Sequence, residues 1–354
     1  MRKTSSPIYL LCFSPYLGGM ELDSIKIATL LSTQFQIHLI VRANTKLADR
    51  ALATSFPFKV HTINFWGSFD LRCIFGLKNI WRLHGFGPVL FFGASELKSI
   101  VFALAPGQCC IVRHGTTKAH SKKDWFHRWL YRKVTHHVTI GEHLRKNVLS
   151  IFPGPKTCHV IEPSCLLKKI PRTPNPIPSI FIFGRIIKEK GAMDALLALL
   201  PLAQKGHRFS ITIQGPSEDD TFLKELKSLA GTFPTAIKIS FFGPTTDVQN
   251  EFLKHDLFLF PSYGEGVPNA LIEALWCGLY PITYDNTCFP EFLKKQFKMQ
   301  QAKNHDITDL TQKIEQGLAE LNNHIPHNQE LAWKLFSPER ELKDWEQLLA
   351  PCLK

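Results

Sequence analysis

Short apolar runs rich in Ile, Val, Leu and Phe alternate along this chain with longer segments whose apolar positions recur at helical spacing. Runs of this kind bounded by turn residues read as buried strands, and the amphipathic stretches between them as helices. The first half carries candidate strands at 8–13, 36–41, 59–63, 89–92, 110–113, 137–140 and 159–161. Helical stretches separate most of them, the clearest at 19–33 and 123–133. The second half restarts at 179–183 and continues with strands at 210–214, 238–242, 257–260 and 280–284. Helices at 192–204, 221–229, 246–254, 269–276 and 306–322 follow them, and an amphipathic segment at 338–349 closes the chain. Strands that alternate with helices predict parallel sheets covered on both faces, an α/β architecture.

A chain of 354 residues is too long for one ordinary core. Five prolines, Pro163, Pro171, Pro174, Pro176 and Pro178, crowd the middle and mark an interdomain connection. The division expected is a first Rossmann-like domain over 1–165, a linker over 166–178 and a second Rossmann-like domain over 179–336. A last helix over 337–354 is expected to pack back on the first domain. Met1-Arg2-Lys3 begins like a secretion signal, but the apolar part that follows is short, flanked by Pro7 and Pro15, and lacks a small-residue cleavage site, so it reads as the first buried strand. No window reaches the about 18 uninterrupted apolar residues of a membrane span; the nearest, 89–105, contains Glu96 and Lys98. Nine cysteines lie without CxxC pairs or Cys/His ligand spacing, which points to free thiols, a reducing cytoplasm and no structural zinc.

Ligands of such sheets sit at the carboxyl ends of the strands, so chemistry is sought in strand-to-helix loops. The most informative loop follows the strand at 257–260 and runs Pro261-Ser262-Tyr263-Gly264-Glu265-Gly266-Val267-Pro268-Asn269-Ala270-Leu271-Ile272-Glu273. Proline suits the start of a helix, where N–H partners are lacking. Glu273 falls one turn after Asn269 and faces the same helix end. Glu265 and Glu273 therefore bracket the backbone N–H groups of Gly266, Asn269 and Ala270 at the positive end of a helix dipole. That arrangement suits a ligand combining a diphosphate with sugar hydroxyls.

Glu265, Glu273, Ala274 and Gly278, with Pro281-Ile282-Thr283 as the next strand, resemble the Glu-x7-Glu segment of retaining glycosyltransferases of family 4. The resemblance is strongest over 180–292 and weaker over 7–160. It implies the GT-B fold, two Rossmann-like domains with parallel sheets facing across a cleft. It further implies that Glu273 binds the nucleotide ribose and that Glu265 contacts the donor sugar and stabilises charge as the glycosidic bond breaks. Val267 and Pro268 stand where the family often has an aromatic residue and a glycine, and proline removes one N–H donor.

Three further loops extend the resemblance. Gly184-Arg185-Ile186-Ile187-Lys188-Glu189-Lys190-Gly191 resembles the family's Gly-Arg…Lys-Gly segment, in which Arg185 and Lys190 would neutralise the leaving diphosphate. Gly18-Gly19 after the first strand resembles a glycine pair that lets backbone approach the donor phosphates or the acceptor. It is not GxGxxG, and no acid closes the next strand, which speaks against NAD. His114 ends the strand at 110–113, where the family places a histidine against the donor sugar; His136 and His137 read as packed or polar strand residues. Gly215-Pro216-Ser217 and Gly243-Pro244-Thr245 fit either nucleotide contacts or plain turns.

Absent motifs narrow the chemistry. There is no Asp-x-Asp triplet to hold a diphosphate through a divalent cation, so the resemblance implies a metal-independent transferase with no cofactor beyond its nucleotide-sugar donor, UDP-linked by family frequency. Nor is there a nucleophile elbow or a P-loop. The net charge of +12 concentrates in 113–146, where Lys, Arg and His are interleaved with Trp125, Phe126, Trp129 and Leu130. This reads equally as a solvated helix with its aromatics in the core or as a surface for an anionic membrane, with nucleic acid the competing polyanion. A saccharide or lipid-linked acceptor in envelope polysaccharide or lipopolysaccharide synthesis, used by a cytoplasmic enzyme peripheral to the inner membrane face, fits the resemblance. A GT-B sugar-nucleotide epimerase and a basic nucleic-acid-binding protein are the alternatives.

Overall fold

The computed structural model describes residues 6–93, 95–153 and 157–353, so the start Met1-Arg2-Lys3 lies outside the described residues. The chain forms two compact units, one of 1–162 with 338–354 and the other of 163–337. Each is a parallel sheet wrapped by helices.

In the first unit the strands are β1 (Pro7–Cys12), β2 (Gln36–Arg42), β3 (Lys59–Ile63), β4 (Val89–Phe92), β5 (Cys110–His114), β6 (His136–Thr139) and β7 (Cys158–Val160). They alternate with α1 (Gly19–Leu31), α2 (Lys46–Ala53), α3 (Leu71–His84), α4 (Leu97–Ala103), α5 (Trp125–Tyr131) and α6 (Glu142–Ile151). The sheet order is β3-β2-β1-β4-β5-β6-β7, so the direction of winding reverses between β1 and β4. Tyr9 and Leu11 of β1 join one buried cluster while Ile8, Leu10 and Cys12 join the other, as period-2 alternation requires when both faces are covered.

The second unit contains β8 (Ser179–Phe183), α7 (Ala192–Gln204), β9 (Ser210–Gln214), α8 (Asp220–Ala230), β10 (Lys238–Phe242) and α9 (Val248–Leu253). It continues with β11 (Leu257–Phe260), α10 (Asn269–Trp276), β12 (Tyr280–Tyr284), α11 (Phe289–Lys294), β13 (Gln300–Ala302) and α12 (Ile307–Leu335). The order β10-β9-β8-β11-β12-β13 reverses between β8 and β11. Two expectations need correction here. The short polar strand β13 lacks the apolar run that marks a strand, and it exists because Ile282, Thr283 and Tyr284 pair with it. The helix expected over 306–322 continues through Pro326 to Leu335. Beyond the proline, Asn328 bonds the backbone of Lys298, Gln329 donates to Ile170 and Trp276 carbonyls, and the Trp333 indole donates to the Trp276 carbonyl. These tertiary bonds outweigh the backbone bond that proline removes.

The stretch 166–178, expected as the linker, is strapped to the second unit. Arg172 donates to Asp256 at 2.6 Å, and Asp256 also accepts from the Asn175 backbone and side chain and from the Ser179 N–H. Asp256 is fully buried, so proline-rich sequence here encodes an extended strap with a charged anchor. The last helix, α13 (Pro338–Leu349), belongs to the first unit. Its Glu341 faces Lys26 of α1, and Trp345, Leu348 and Leu349 enter the core beside β1 and β2.

The expectation of free thiols throughout is also corrected. Cys109, just before β5, and Cys352, after α13, form a disulfide across 243 positions, a pairing that local cysteine spacing cannot reveal. The argument from irregular spacing to a reducing compartment therefore lapses. Among the described residues no helix is long and apolar enough to cross a membrane.

Removing one member of a buried ion pair leaves the other uncompensated. Asp256→Ala is therefore expected to lower unfolding stability by about 3–5 kcal/mol, read from urea denaturation. Arg172→Ala should be less than additive with it, because the two share one network. An unchanged urea midpoint in Asp256→Ala would show that the strap does not depend on this anchor.

Candidate functional site

The two loops richest in candidate residues follow β8 and β11, the neighbouring strands between which the winding of the second sheet reverses. At such a switch point adjacent loops part to opposite faces and leave a crevice for ligand. Backbone contact holds the loops in place. A Cβ on Gly191, at φ +73°, would lie 2.0 Å from the carbonyl oxygen of Pro261, and one on Gly215, at φ +154°, would lie 1.8 Å from that of Gly184. Only glycine permits either approach. The Tyr263 N–H donates to the Glu189 carbonyl and the Ile186 N–H to the Pro216 carbonyl, which completes the stitching of the loops after β8, β9 and β11.

This contact brings Lys190 onto Glu265. Their side chains form an ion pair, and the Ser262 hydroxyl donates to the same carboxylate oxygen at 2.8 Å. Lys190 Nζ also stands 5.6 Å from the centre of the Phe260 ring. The Glu265 backbone N–H donates to Thr287 Oγ1, and Asn286 donates to the Ser262 carbonyl, so the loop after β12 braces the same carboxylate. Below it, Asp194 in the first turn of α7 accepts from the Tyr263 and Tyr284 hydroxyls. Burial and that carboxylate both push the Tyr284 phenol up.

Arg185 is exposed, and among the described residues its guanidinium forms no hydrogen bond or ion pair. Pro268 caps α10, whose first residues are Asn269 and Ala270. Among the described residues nothing accepts from the N–H groups of Gly266, Asn269 or Ala270. These donors and the guanidinium are the site's open positive groups, and Glu273 is half-buried on the first turn and a half of the same helix. Such a set can hold an anion at the helix end.

In the first unit Gly18 and Gly19 open α1 as expected from the glycine pair. The Gly18 N–H is committed to the Glu21 carboxylate at 2.8 Å. A Cβ on Gly19 would meet nothing within 4 Å, so packing within the described protein does not require that glycine. His114 ends β5 but is buried. Its Nε2 lies 2.9 Å from Nδ1 of His137, with the rings stacked at 5.2 Å and Phe152 against it. His137, read from sequence as a packed or polar strand residue, is thus the partner that positions His114. Arg113 does not contribute to a basic surface, because it is buried in an ion pair with Asp23, to which Lys26 also pairs at 3.2 Å.

Residues 167–328 match the family described as glycosyl transferases group 1. That match spans a little under half of the chain. The amylovoran biosynthesis glycosyltransferase AmsK of Erwinia amylovora is 29% identical over 121 residues, which span 32% of this chain and only 30% of that protein. The gpi3 subunit of the phosphatidylinositol N-acetylglucosaminyltransferase of Schizosaccharomyces pombe is 24% identical over 326 residues, 84% of this chain and 70% of that one. Among solved structures, a glycosyltransferase from Rickettsia africae superposes with a TM-score of 0.83 at 16% identity, covering 99% of both chains. Alr3699/HepE of Anabaena, bound to UDP and glucose, gives 0.75 at 15% identity, covering 98% of this chain and 100% of that one. The chain has the GT-B fold.

Within the group 1 stretch, sequence reasoning missed Ser262, Asn286 and Thr287. Ser262 was legible as the polar residue that follows an apolar strand beside the glutamate loop. Asn286 and Thr287 carry no pattern of their own, although Thr287 has φ +44°, a conformation unusual for a β-branched residue.

The His114–His137 pair generates a pH dependence. Burial, and then mutual repulsion, depresses His114 well below 6.5. Burial brings His137 down to about 4. Both are neutral in the folded state near pH 7, whereas the unfolded chain takes up protons at about 6.5. Their contribution is complete above that value and is lost as pH falls toward about 4. The urea midpoint should decline steadily between pH 6.5 and 4.5, with a shallower decline in His137→Gln. A midpoint constant across that range in the wild-type chain contradicts this account.

Proposed function

We propose that the protein is a retaining glycosyltransferase of family 4, acting on a nucleoside-diphosphate sugar, a UDP-sugar, and a saccharide or lipid-linked acceptor. The observation that carries the reading is the Lys190–Glu265 pair, braced by Ser262 at the switch point of the second sheet, beside the open N–H groups of Gly266, Asn269 and Ala270. In this reading Glu273 accepts from the ribose hydroxyls. Arg185 and Lys190 face the diphosphate, whose β-phosphate gains charge as the bond from the anomeric carbon to its oxygen breaks. The acceptor hydroxyl attacks the anomeric carbon on the face the diphosphate leaves, and its proton passes to the departing β-phosphate oxygen. Glu265, fixed by Lys190 and Ser262, stabilises positive charge at the anomeric carbon. No divalent cation is assigned to the diphosphate, because its charge is met by Arg185, Lys190 and the helix end and the chain has no Asp-x-Asp triplet.

The first unit is assigned to the acceptor, with the backbone at Gly18 and Gly19 near donor phosphate or acceptor. His114, at the end of β5 and held by His137, is assigned to the donor sugar. That HepE was solved with UDP and glucose supports the donor class. Names that include amylovoran biosynthesis and phosphatidylinositol N-acetylglucosaminyltransferase support a saccharide or lipid-linked acceptor; a role in envelope polysaccharide or lipopolysaccharide synthesis at the inner membrane face is part of the same proposal.

Calorimetry with UDP and a transfer assay without added metal test the donor site. Arg185→Ala and Lys190→Ala should each cost roughly 3–4 kcal/mol of transition-state stabilisation, the scale of one lost electrostatic donor. Glu273→Ala should weaken UDP binding. Turnover unchanged in both cation variants overturns the assignment.

The membrane reading rests on α5 and its neighbours. Trp125, Trp129 and Phe102 are exposed, and Val101, Phe102, Trp129, Arg132 and Lys133 line a groove of about 520 Å³. Apolar surface rimmed by cations suits an anionic bilayer, where each Lys or Arg near the surface contributes about 1 kcal/mol. With Arg113, His114 and His137 buried, the Lys and Arg charge left in 113–146 is that of Lys118, Lys122, Lys123, Arg128, Arg132, Lys133, Arg145 and Lys146. Changing Lys122, Lys123, Arg132 and Lys133 to Glu should release the protein from anionic vesicles while sparing UDP binding. Wild-type protein that ignores such vesicles at low salt refutes the membrane contact.

A further inference from the structure

Three histidines converge in the first unit, away from the strand ends that carry His114 and the glycine pair. His38 lies in the amino-terminal half of β2, His61 is on the adjacent strand β3, and His84 is the last residue of α3. Nδ1 of His38 is 2.9 Å from Nε2 of His61. The His84 ring centre lies 4.7 Å from that of His38 and 5.1 Å from that of His61. One nitrogen from each ring falls within 4.8 Å of the other two. His38 is wholly buried, whereas His61 and His84 are half-buried and leave one side open to solvent.

We propose that His38, His61 and His84 form a zinc site that clips the end of α3 to the β2–β3 edge of the sheet, with solvent as the fourth ligand. Imidazole suits zinc and its borderline neighbours. Tetrahedral Zn–N bonds of about 2.0–2.1 Å place ligand nitrogens about 3.3 Å apart. The His38–His61 pair reaches that spacing by opening a few tenths of an ångström.

The surroundings prepare the donors. Nε2 of His38, the nitrogen facing away from the cluster, lies 3.3 Å from the Gln36 side-chain amide. The amide nitrogen faces the ring; turned by half a rotation the amide presents its oxygen, which accepts the ring N–H and leaves Nδ1 as the ligand, the outer contact that metal-bound histidines use. The His84 backbone is held by the Gly85 N–H, which donates to the Trp81 carbonyl, and by the Tyr9 hydroxyl, which donates to the Gly85 carbonyl. The opposing charge is Lys59, which sits across the strand pair from His38 and depresses both imidazoles. It sets the affinity below that of a site with carboxylate support. The assignment is independent of the transferase reading, since no donor-site residue takes part.

The test uses the full chain, stripped of metal, with Zn²⁺ titrated by calorimetry and Co²⁺ as a spectroscopic probe. One equivalent of Zn²⁺ should bind, raise the Tm through binding to the native state, and be matched by the visible bands of tetrahedral Co²⁺. His61→Gln and His84→Gln, half-buried positions chosen to spare the core, should weaken binding by roughly 100-fold or more, given that loss of an outer partner alone costs 10–100-fold. A second cluster, Cys109, His136 and Cys352, offers thiolate ligands only when the Cys109–Cys352 disulfide is reduced, so Cys352→Ser serves as the control and should leave uptake unchanged. Absence of stoichiometric uptake by the wild-type chain overturns the proposal. So does uptake that survives both histidine changes or disappears in Cys352→Ser.

Discussion

The site in the second unit depends on two backbone contacts too close for any side chain. Gly191 touches the carbonyl of Pro261, and Gly215 touches that of Gly184. These contacts join the loops after three neighbouring parallel strands into one surface, and they do so through main chain, which cannot change rotamer. Lys190 meets Glu265 because the residue after it is pressed against the start of the glutamate loop. An exposed Lys–Glu pair is worth little for stability. This one is half-buried, backed by Phe260 and shared with Ser262, so it holds a carboxylate and an ammonium in a set relation. Such preorganisation is what electrostatic catalysis requires.

Legibility from sequence follows the same physics. Strands buried on both faces, such as 8–13 and 257–260, show as apolar runs because each alternate residue enters a different core. The strand β13 reads Gln-Gln-Ala and could not be seen, since its pairing with β12 supplies what its composition lacks. The helix expected to end at 322 runs on past Pro326 because Asn328, Gln329 and Trp333 hold its far side. The candidate site was legible where its residues lie within one loop, as with Glu265 and the residues that follow it. It was illegible where a residue matters through a partner distant in the chain, as Thr287 does for Glu265 and His137 for His114.

Net charge gave a coarser guide than the placement of individual charges. Counted along the chain, 113–146 is a basic segment. In the folded protein Arg113 neutralises Asp23 in the interior, and His114 and His137 are buried without charge. What remains outside is a shorter basic rim around the aromatics of α4 and α5. Asp256 and Arg172 do in the second unit what Asp23 and Arg113 do in the first, tying a segment to a sheet through a buried pair. Ion pairs of this kind yield little net energy over apolar packing, yet breaking one is costly, so they specify which segment docks where.

Buried histidine serves differently. A neutral imidazole offers one donor and one acceptor, and a pair such as His114 and His137 satisfies both strands without burying a net charge. At His38, His61 and His84 three ring nitrogens converge, one more than a single hydrogen bond can join. Two imidazoles complete one hydrogen bond, and a third, held 4.7 Å away by the capped end of a helix, has no equivalent role in that pair. The trio is therefore better matched to a shared cation than to hydrogen bonding among its members, whereas the His114–His137 pair is complete as it stands.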